Sequence, residues 1–175
     1  MNKAALLLLF AGLAPWIPAP AAQDTPRPQA SVQPTRCSVQ AEEALRRINA
    51  ARARPQRCGW RSMPAAPPLR WDPALYLAAD SHSRDMARRN YFDHRSPEGR
   101  TVSERVSAKH YKFRMVGENL AGGDRNVAGA VQGWLDSPSH CENMMNPKFA
   151  DAAVACVARA GSQWGTYWTM VLGRR

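Results

Sequence analysis

The sequence lacks the short motifs by which several large enzyme classes are recognised. It contains no G-x-S-x-G nucleophile elbow, no H-E-x-x-H helix, no Walker phosphate loop and no G-x-G-x-x-G segment after a strand. These absences argue against ordinary serine hydrolases, zincins and nucleotide-dependent enzymes. A C-x-x-C pair is also missing, so a structural zinc site built on cysteines is not expected.

Lysine is scarce in a chain that is otherwise basic. The 24 basic residues comprise 20 arginines and 4 lysines, and with 14 acidic residues they give a formal charge of +10. This preference for arginine is more typical of a GC-rich genome than of a surface selected for charge. We therefore do not expect a nucleic-acid partner.

Long apolar runs are missing beyond the N-terminal region. The longest run lies at the extreme N-terminus and is too short to cross a bilayer core of about 30 Å, so we expect no transmembrane helix in the mature chain. Apolar residues nevertheless make up 45% of the 175 residues, which is enough for an ordinary hydrophobic core in one domain.

The first 21 residues have the organisation of a secretory signal peptide. Lys3 provides a basic start, Ala4–Leu13 an apolar stretch, and Ala19–Ala21 a small-residue cleavage site. The alternative is a buried first helix, which Pro15 and Pro18 disfavour. The mature protein is therefore expected to be secreted or periplasmic.

The rest of the chain divides into a linker and a folded domain. Residues 22–36 contain three prolines among glutamine, serine and threonine, a composition typical of an extended Pro-rich linker. Residues 37–175 carry the periodic apolar patterns and are expected to form the domain.

Four cysteines suggest two disulfide bonds in an exported protein: Cys37, Cys58, Cys141 and Cys156. Three pairings are possible. We expect Cys37 to pair with Cys58 and Cys141 with Cys156, because each of these bonds closes a short loop. The alternative is buried free thiols.

Apolar periodicity and turn residues predict an alternation of helices and strands. A first helix is expected to follow Cys37 and end before Pro55, and a second to begin with Asp72 as its cap and Pro73 in its first turn. Short helices are expected from Thr101 to Ala108 and Asn126 to Leu135, and strands over Tyr111–Val116, Ala152–Arg159 and Thr166–Leu172.

Three side chains outside the apolar patterns could share a site. His94 is predicted to lie on a loop, Glu118 at the end of a strand, and His140 in a tight turn beside Cys141. Two imidazoles and a carboxylate suit a divalent cation, most of all zinc. The alternative is two surface histidines and a capping glutamate. His82, on the apolar stripe of the second helix, is interpreted as a hydrogen-bonded core residue.

Four segments together resemble the CAP superfamily of cysteine-rich secretory proteins, venom allergens and plant pathogenesis-related proteins, in particular its bacterial secreted members. They are Asn90–His94 (NYFDH), Val116–Ala121 (VGENLA), Gly133–His140 (GWLDSPSH) and Tyr167–Thr169 (YWT). The resemblance covers about residues 39–173. It implies an α+β fold, a three-layer α/β/α sandwich with a mainly antiparallel central sheet.

The resemblance also implies a cavity lined by two histidines and two glutamates, which in several members holds a divalent cation. By motif, these positions are His94, His140 and Glu118, but Gly129 stands where the second glutamate is usual. The missing carboxylate weakens metal binding and removes an acid/base pair, unless Asp124 or Asp136 replaces it. Trp134 is expected in the core, and Asn119 is expected to bond to the backbone near Glu118.

Three functions follow as expectations. The first is a secreted, non-enzymatic binding module whose cation cavity also contacts an extracellular or envelope ligand, such as a glycan, lipid or protein. The second is a metal-dependent hydrolase with Glu118 as the base. The third is a lipid or sterol binder.

Overall fold

The computed structural model describes residues 37–175. The predicted signal peptide and linker lie outside the described residues. The elements, in chain order, are α1 (Ala41–Arg52), β1 (Gln56–Cys58), β2 (Arg61–Met63), β3 (Arg70–Trp71), α2 (Pro73–Arg89), α3 (Val102–Ser107), β4 (Met115–Gly122), α4 (Val127–Asp136), α5 (Pro138–Met144), β5 (Asp151–Ala158) and β6 (Thr166–Arg174).

A four-stranded sheet in the order β3-β5-β6-β4 forms the middle layer. β3 pairs with β5 in parallel, whereas β5 with β6 and β6 with β4 are antiparallel. β1 and β2 form a separate antiparallel hairpin. The mainly antiparallel sheet is therefore confirmed.

Both faces of the sheet are covered by helices. Alternate residues of β5 and β6, such as Val154 and Met170, pack against α1, α4 and α5. The intervening residues, such as Ala153 and Val171, pack against α2 and α3. This alternation arises because successive strand side chains point to opposite faces. It produces the three-layer α/β/α sandwich that the resemblance implies.

The starts of α2 and α3 agree with the predicted ones, and in α2 the cap is the predicted Asp72. The carboxylate of Asp72 accepts hydrogen bonds from the backbone N–H groups of Ala74 (2.8 Å) and Leu75 (3.1 Å), and Pro73 starts α2. In α3, Thr101 and Glu104 form a capping box. Trp134 is buried, as predicted, and its indole N–H donates to the Leu120 carbonyl.

Two local predictions near the site are wrong. β4 begins only at Met115 and runs to Gly122, so Glu118 lies in the middle of the strand and not at its end. Pairing with β6 over eight residues carries the strand through its glycines. His140 lies within helix α5 and not in a tight turn, because Pro138 occupies the first helical turn.

The predicted disulfide pairing is also wrong. Cys37 bonds to Cys156, and Cys58 to Cys141. Both bonds join segments distant in sequence, with separations of 119 and 83 residues, because packing brings the start of the domain beside β5 and the β1–β2 hairpin beside α5. All four cysteines are bonded.

Candidate functional site

His94 lies on the loop after α2, and two contacts hold its backbone. Asn90 ends α2 in the left-handed conformation (φ 55°), which turns the chain away from the helix. The ring of buried His82 bonds through Nε2 to the Asp93 carbonyl at 2.9 Å, and Arg105 donates to the His94 carbonyl at 3.0 Å. His82 is thus a hydrogen-bonded core residue, as predicted, and it also supports the loop that carries His94.

Glu118 lies beneath His94 with only 2% of its side chain exposed. One carboxylate oxygen accepts from Nδ1 of His94 at 2.8 Å, and the other from Nη2 of Arg105 at 2.7 Å. Both oxygens are therefore already bonded within the chain. Glu118 orients His94, and His94 presents its remaining ring nitrogen, Nε2, for other contacts.

His140 is positioned by amide side chains that join α5 to β4. Buried Asn119 donates to the His140 carbonyl at 2.9 Å. Asn143 in turn donates to the side chain of Asn119 (2.8 Å) and to the Glu118 carbonyl (3.2 Å). The predicted backbone bond of Asn119 thus exists, and its partner is His140.

Both histidines line one open cleft of about 630 Å³. Its walls are formed by Arg61, Met63, His94, Glu118, Asn119, Ser139, His140, Glu142, Asn143, Asn146 and Pro147. The structure therefore brings the three predicted site residues together at one cleft.

The two imidazoles differ in their affinity for protons. The hydrogen bond to Glu118 raises the pKa of His94 above its ordinary value, although burial opposes this shift. Burial and, secondarily, the charge of His94 lower the pKa of His140. Near neutral pH, His140 is thus biased towards the neutral form that can ligate a cation, while His94 retains its proton longer.

Neither Asp124 nor Asp136 replaces the missing second glutamate, and the further carboxylate that lines the cleft, Glu142, is paired with Arg61 at 2.8 Å. A Cβ built on Gly129 would lie 3.0 Å from a carboxylate oxygen of Asp124, so Asp124 occupies the space next to this glycine, where burial raises its pKa. Asp136 accepts a hydrogen bond from Gln132 at 2.8 Å. Neither aspartate lines the cleft.

Of the described side chains that line the cleft, only the imidazoles of His94 and His140 are therefore placed to ligate a cation. Within residues 37–175, no three His, Cys, Asp or Glu side chains are placed so that they could jointly hold a metal ion. Glu118 is bonded behind His94 and is not free as a third ligand. Water or an oxygen of the ligand would have to complete the coordination shell.

Arg105 is the functional residue that sequence reasoning missed. The capping box of Thr101 and Glu104 predicts where α3 begins, but it gives no sign that the next residue points inward to a carboxylate on a distant strand. Arg105 also donates to the carbonyls of Arg100 and His94. It connects α3, the His94 loop and β4.

Comparison with known proteins agrees with the motifs, the three layers and the cleft. The model of the CAP family, described as the cysteine-rich secretory protein family, matches residues 45–172. The chain belongs to this family. It is 34% identical over 97 residues to YkwD of Bacillus subtilis, a match that covers 55% of the chain and 37% of YkwD.

Solved structures of two bacterial proteins share the fold. An extracellular protein with an SCP domain from Bacillus anthracis has a TM-score of 0.63 and 28% identity over 77% of this chain and 40% of its own. An outer surface protein from Borrelia burgdorferi has a TM-score of 0.61 and 19% identity over 78% of this chain and 96% of its own. This chain thus covers less than half of the length of YkwD and of the Bacillus anthracis protein.

Proposed function

We propose that this CAP protein is an exported, non-enzymatic binding module that holds a divalent cation, most of all zinc, and an extracellular or envelope ligand in the cleft between His94 and His140. The observation that carries the proposal is the convergence of both histidines on one cleft, with Glu118 bonded to Nδ1 of His94. A carboxylate behind a histidine is the arrangement that orients metal-ligating imidazoles in proteins.

In this proposal, His94 and His140 hold the cation and Glu118 orients the first of them. The cation, when bound, offers open coordination positions to oxygen atoms of a ligand. Two protein ligands give weaker binding than three or four. Binding through Nε2 also requires a neutral His94, so its affinity rises with pH as the Nε2 proton is released while Nδ1–H stays bonded to Glu118.

Zinc titration of the metal-free protein in a calorimeter tests this proposal. We expect binding in the wild type and a loss of about tenfold or more in His94→Asn and in His140→Asn. Glu118→Gln is expected to weaken zinc binding by about 10- to 100-fold, as other orienting partners do. The matched control is His110→Asn, because His110 is exposed and lines a different pocket. A wild type without binding heat, or two cleft variants that bind like the control, contradicts the proposal.

Export is supported by the two disulfides, because such bonds form and persist mainly in oxidising compartments. The Bacillus anthracis relative is described as extracellular. In the described part of the chain, no helix has the length and apolar character needed to cross a membrane. Detection of the protein outside the cytoplasm of its native host, with residues 1–21 removed, tests the localisation.

No observation favours the hydrolase or lipid alternatives over binding. A general base needs a carboxylate oxygen within reach of the substrate's proton, and both oxygens of Glu118 are bonded to His94 and Arg105. A lipid site needs an apolar lining, whereas the described lining is mostly amide, hydroxyl, imidazole and charged side chains.

A further inference from the structure

Trp60 is the most exposed large apolar side chain of the described residues. It lies at the tip of the β1–β2 hairpin with 85% of its surface in water, compared with 52% for Leu77 and 38% for Trp164. Trp164 packs against Phe92 with ring centroids 4.8 Å apart. Trp60 pairs with no other aromatic ring within residues 37–175, and the guanidinium of Arg61 lies 6.0 Å from its ring centroid.

The hairpin that carries Trp60 is firmly attached to helix α5. Cys58 is disulfide-bonded to Cys141, and Arg61 forms an ion pair with Glu142 at 2.8 Å. A Cβ on Gly59, which has φ 62°, would lie 2.9 Å from Pro138, so the turn packs closely on the start of α5. The backbone that carries the exposed indole is therefore held in place, so that a ligand orders only the Trp60 side chain and not the hairpin.

The same attachment places the hairpin at the rim of the cleft. Arg61 and Met63 line the cleft together with Ser139, His140 and Asn143 of α5. Hydroxyl, amide and imidazole groups of this kind exchange hydrogen bonds with a ligand rich in hydroxyl groups. An aromatic face beside them offers apolar contact to one face of a ring.

The charge beside the indole indicates an acidic ligand. Arg57 and Arg61 are both exposed on the hairpin, and Glu142 offsets only one of them. A membrane surface is a poorer match, because the exposed neighbours of Trp60 on the hairpin are Arg57, Gly59, Arg61 and Ser62. Membrane-binding surfaces bury several apolar side chains side by side.

We propose that the Trp60 hairpin is the outer part of a binding site for an acidic polysaccharide. The Trp60 indole stacks on a sugar ring. Arg57, and Arg61 through the guanidinium N–H groups that do not bond Glu142, pair with carboxylates or phosphates of the polysaccharide. Neighbouring sugars enter the cleft between the hairpin and His94. This assignment rests on the proposed function of the cleft as a binding site and names the ligand class that it takes.

Affinity electrophoresis and calorimetry of the purified chain with polygalacturonate and hyaluronan test the assignment, with neutral dextran for comparison. We expect binding to at least one acidic polymer and weaker binding to dextran. Trp60→Ala is expected to reduce the affinity by about tenfold or more, and Trp60→Phe by less. Arg61→Gln is expected to weaken binding and to flatten its dependence on salt.

The matched control is Leu77→Ala, which removes an exposed apolar side chain from α2 and is expected to leave binding unchanged. The midpoint of thermal unfolding of Trp60→Ala is expected to equal that of the wild type, which separates a binding effect from a folding defect. Equal affinities of wild type and Trp60→Ala, binding to neither acidic polymer, or binding only to vesicles of phosphatidylcholine and phosphatidylglycerol would overturn the assignment.

Zinc titration of the same variants distinguishes the two proposals. If the wild type binds zinc but neither acidic polymer, only the hairpin assignment is lost. If zinc binding fails in the wild type while Trp60→Ala still reduces polysaccharide binding, the cation proposal is lost and the hairpin assignment stands.

Discussion

Among individual residues, Arg105 and Glu118 form an ion pair that is almost fully buried. Their side chains are 7% and 2% exposed, and the guanidinium bonds the carboxylate at 2.7 Å. Removing one partner of such a pair leaves a charge in a site that water cannot reach, which is far more destabilising than losing a surface pair.

We therefore expect Arg105→Met to lower the free energy of unfolding by about 3 kcal/mol or more, measured by urea denaturation. Arg47→Met is the matched control, because Arg47 pairs with Glu43 on the exposed side of α1. Its effect is expected to stay within about 0.5 kcal/mol. A similar small change in both variants would contradict the role of the enclosed pair.

The opposite pKa shifts of the two cleft histidines give a second test. In the metal-free protein, NMR titration is expected to give a midpoint above 6.5 for His94 and below 6.5 for His140. Glu118→Gln is expected to lower the His94 midpoint, because the carboxylate hydrogen bond is the main cause of its raised pKa. A His94 midpoint below that of His140 would contradict this geometry.

The directions of the two pKa shifts determine how each histidine changes the stability of the fold with pH. Protonated His94 is favoured by the folded state, so its contribution is complete below pH 6.5 and is lost as the pH rises through its raised pKa. The contribution of His140 is present above pH 6.5 and is lost as the pH falls through its lowered pKa.

At the level of secondary-structure elements, β4 lies so close to α5 that Gly117, the first glycine of β4, has no room for a side chain. A Cβ on Gly117 would lie 2.7 Å from Asn143 and 2.8 Å from Phe149, whereas a Cβ on Gly133 of α4 would meet no atom within 4 Å. Gly117 thus allows the approach that puts Glu118 and His140 at one cleft.

We expect Gly117→Ala to lower the free energy of unfolding by about 1 to 3 kcal/mol through overpacking. Gly133→Ala, the matched change, is expected to raise it by about 0.5 to 1 kcal/mol, because alanine favours an exposed helix position. Thermal or urea unfolding of the two variants measures both effects. Equal shifts of the same sign would contradict the close approach.

The two disulfides are expected to differ in function, although each closes a long loop. On the chain-entropy estimate, removing either lowers the free energy of unfolding by about 4 kcal/mol. Only Cys58→Ser with Cys141→Ser is expected to weaken zinc and polysaccharide binding, because this bond attaches the hairpin to the helix that carries His140. Cys37→Ser with Cys156→Ser is the control, and an equal loss of binding in it would contradict this assignment.

Local patterns predicted the elements better than the contacts between them. Asp72 with Pro73, and Thr101 with Glu104, satisfy backbone groups within one helical turn, so their effect is visible in the sequence. The disulfide pairing and the partner of Arg105 depend on how distant elements pack, and no local rule contains that information. His94, Glu118 and His140 stand out in the sequence because they are polar residues within recognisable motifs, and the structure places all three at one cleft.

At the scale of the whole molecule, β6 is the element on which the layers depend. It lies between β5 and β4, and all its residues except Arg174 are buried. Its two neighbours cannot form the sheet without it. A chain that stops after Ser162 is therefore expected to lack the cooperative unfolding transition and protease resistance of the full chain. A truncated chain that remains protease-resistant would contradict this dependence.

The nested pattern of the disulfides, with the Cys58–Cys141 bond inside the loop closed by Cys37–Cys156, constrains how the native protein is reached. If the chain enters an oxidising compartment N-terminus first, Cys37 and Cys58 arrive together, long before their native partners Cys156 and Cys141. Oxidation at that moment would trap a bond that the finished protein does not contain. Efficient maturation in cells would then require thiols that remain reduced until translocation ends, or a catalyst that exchanges the early bond for the native two.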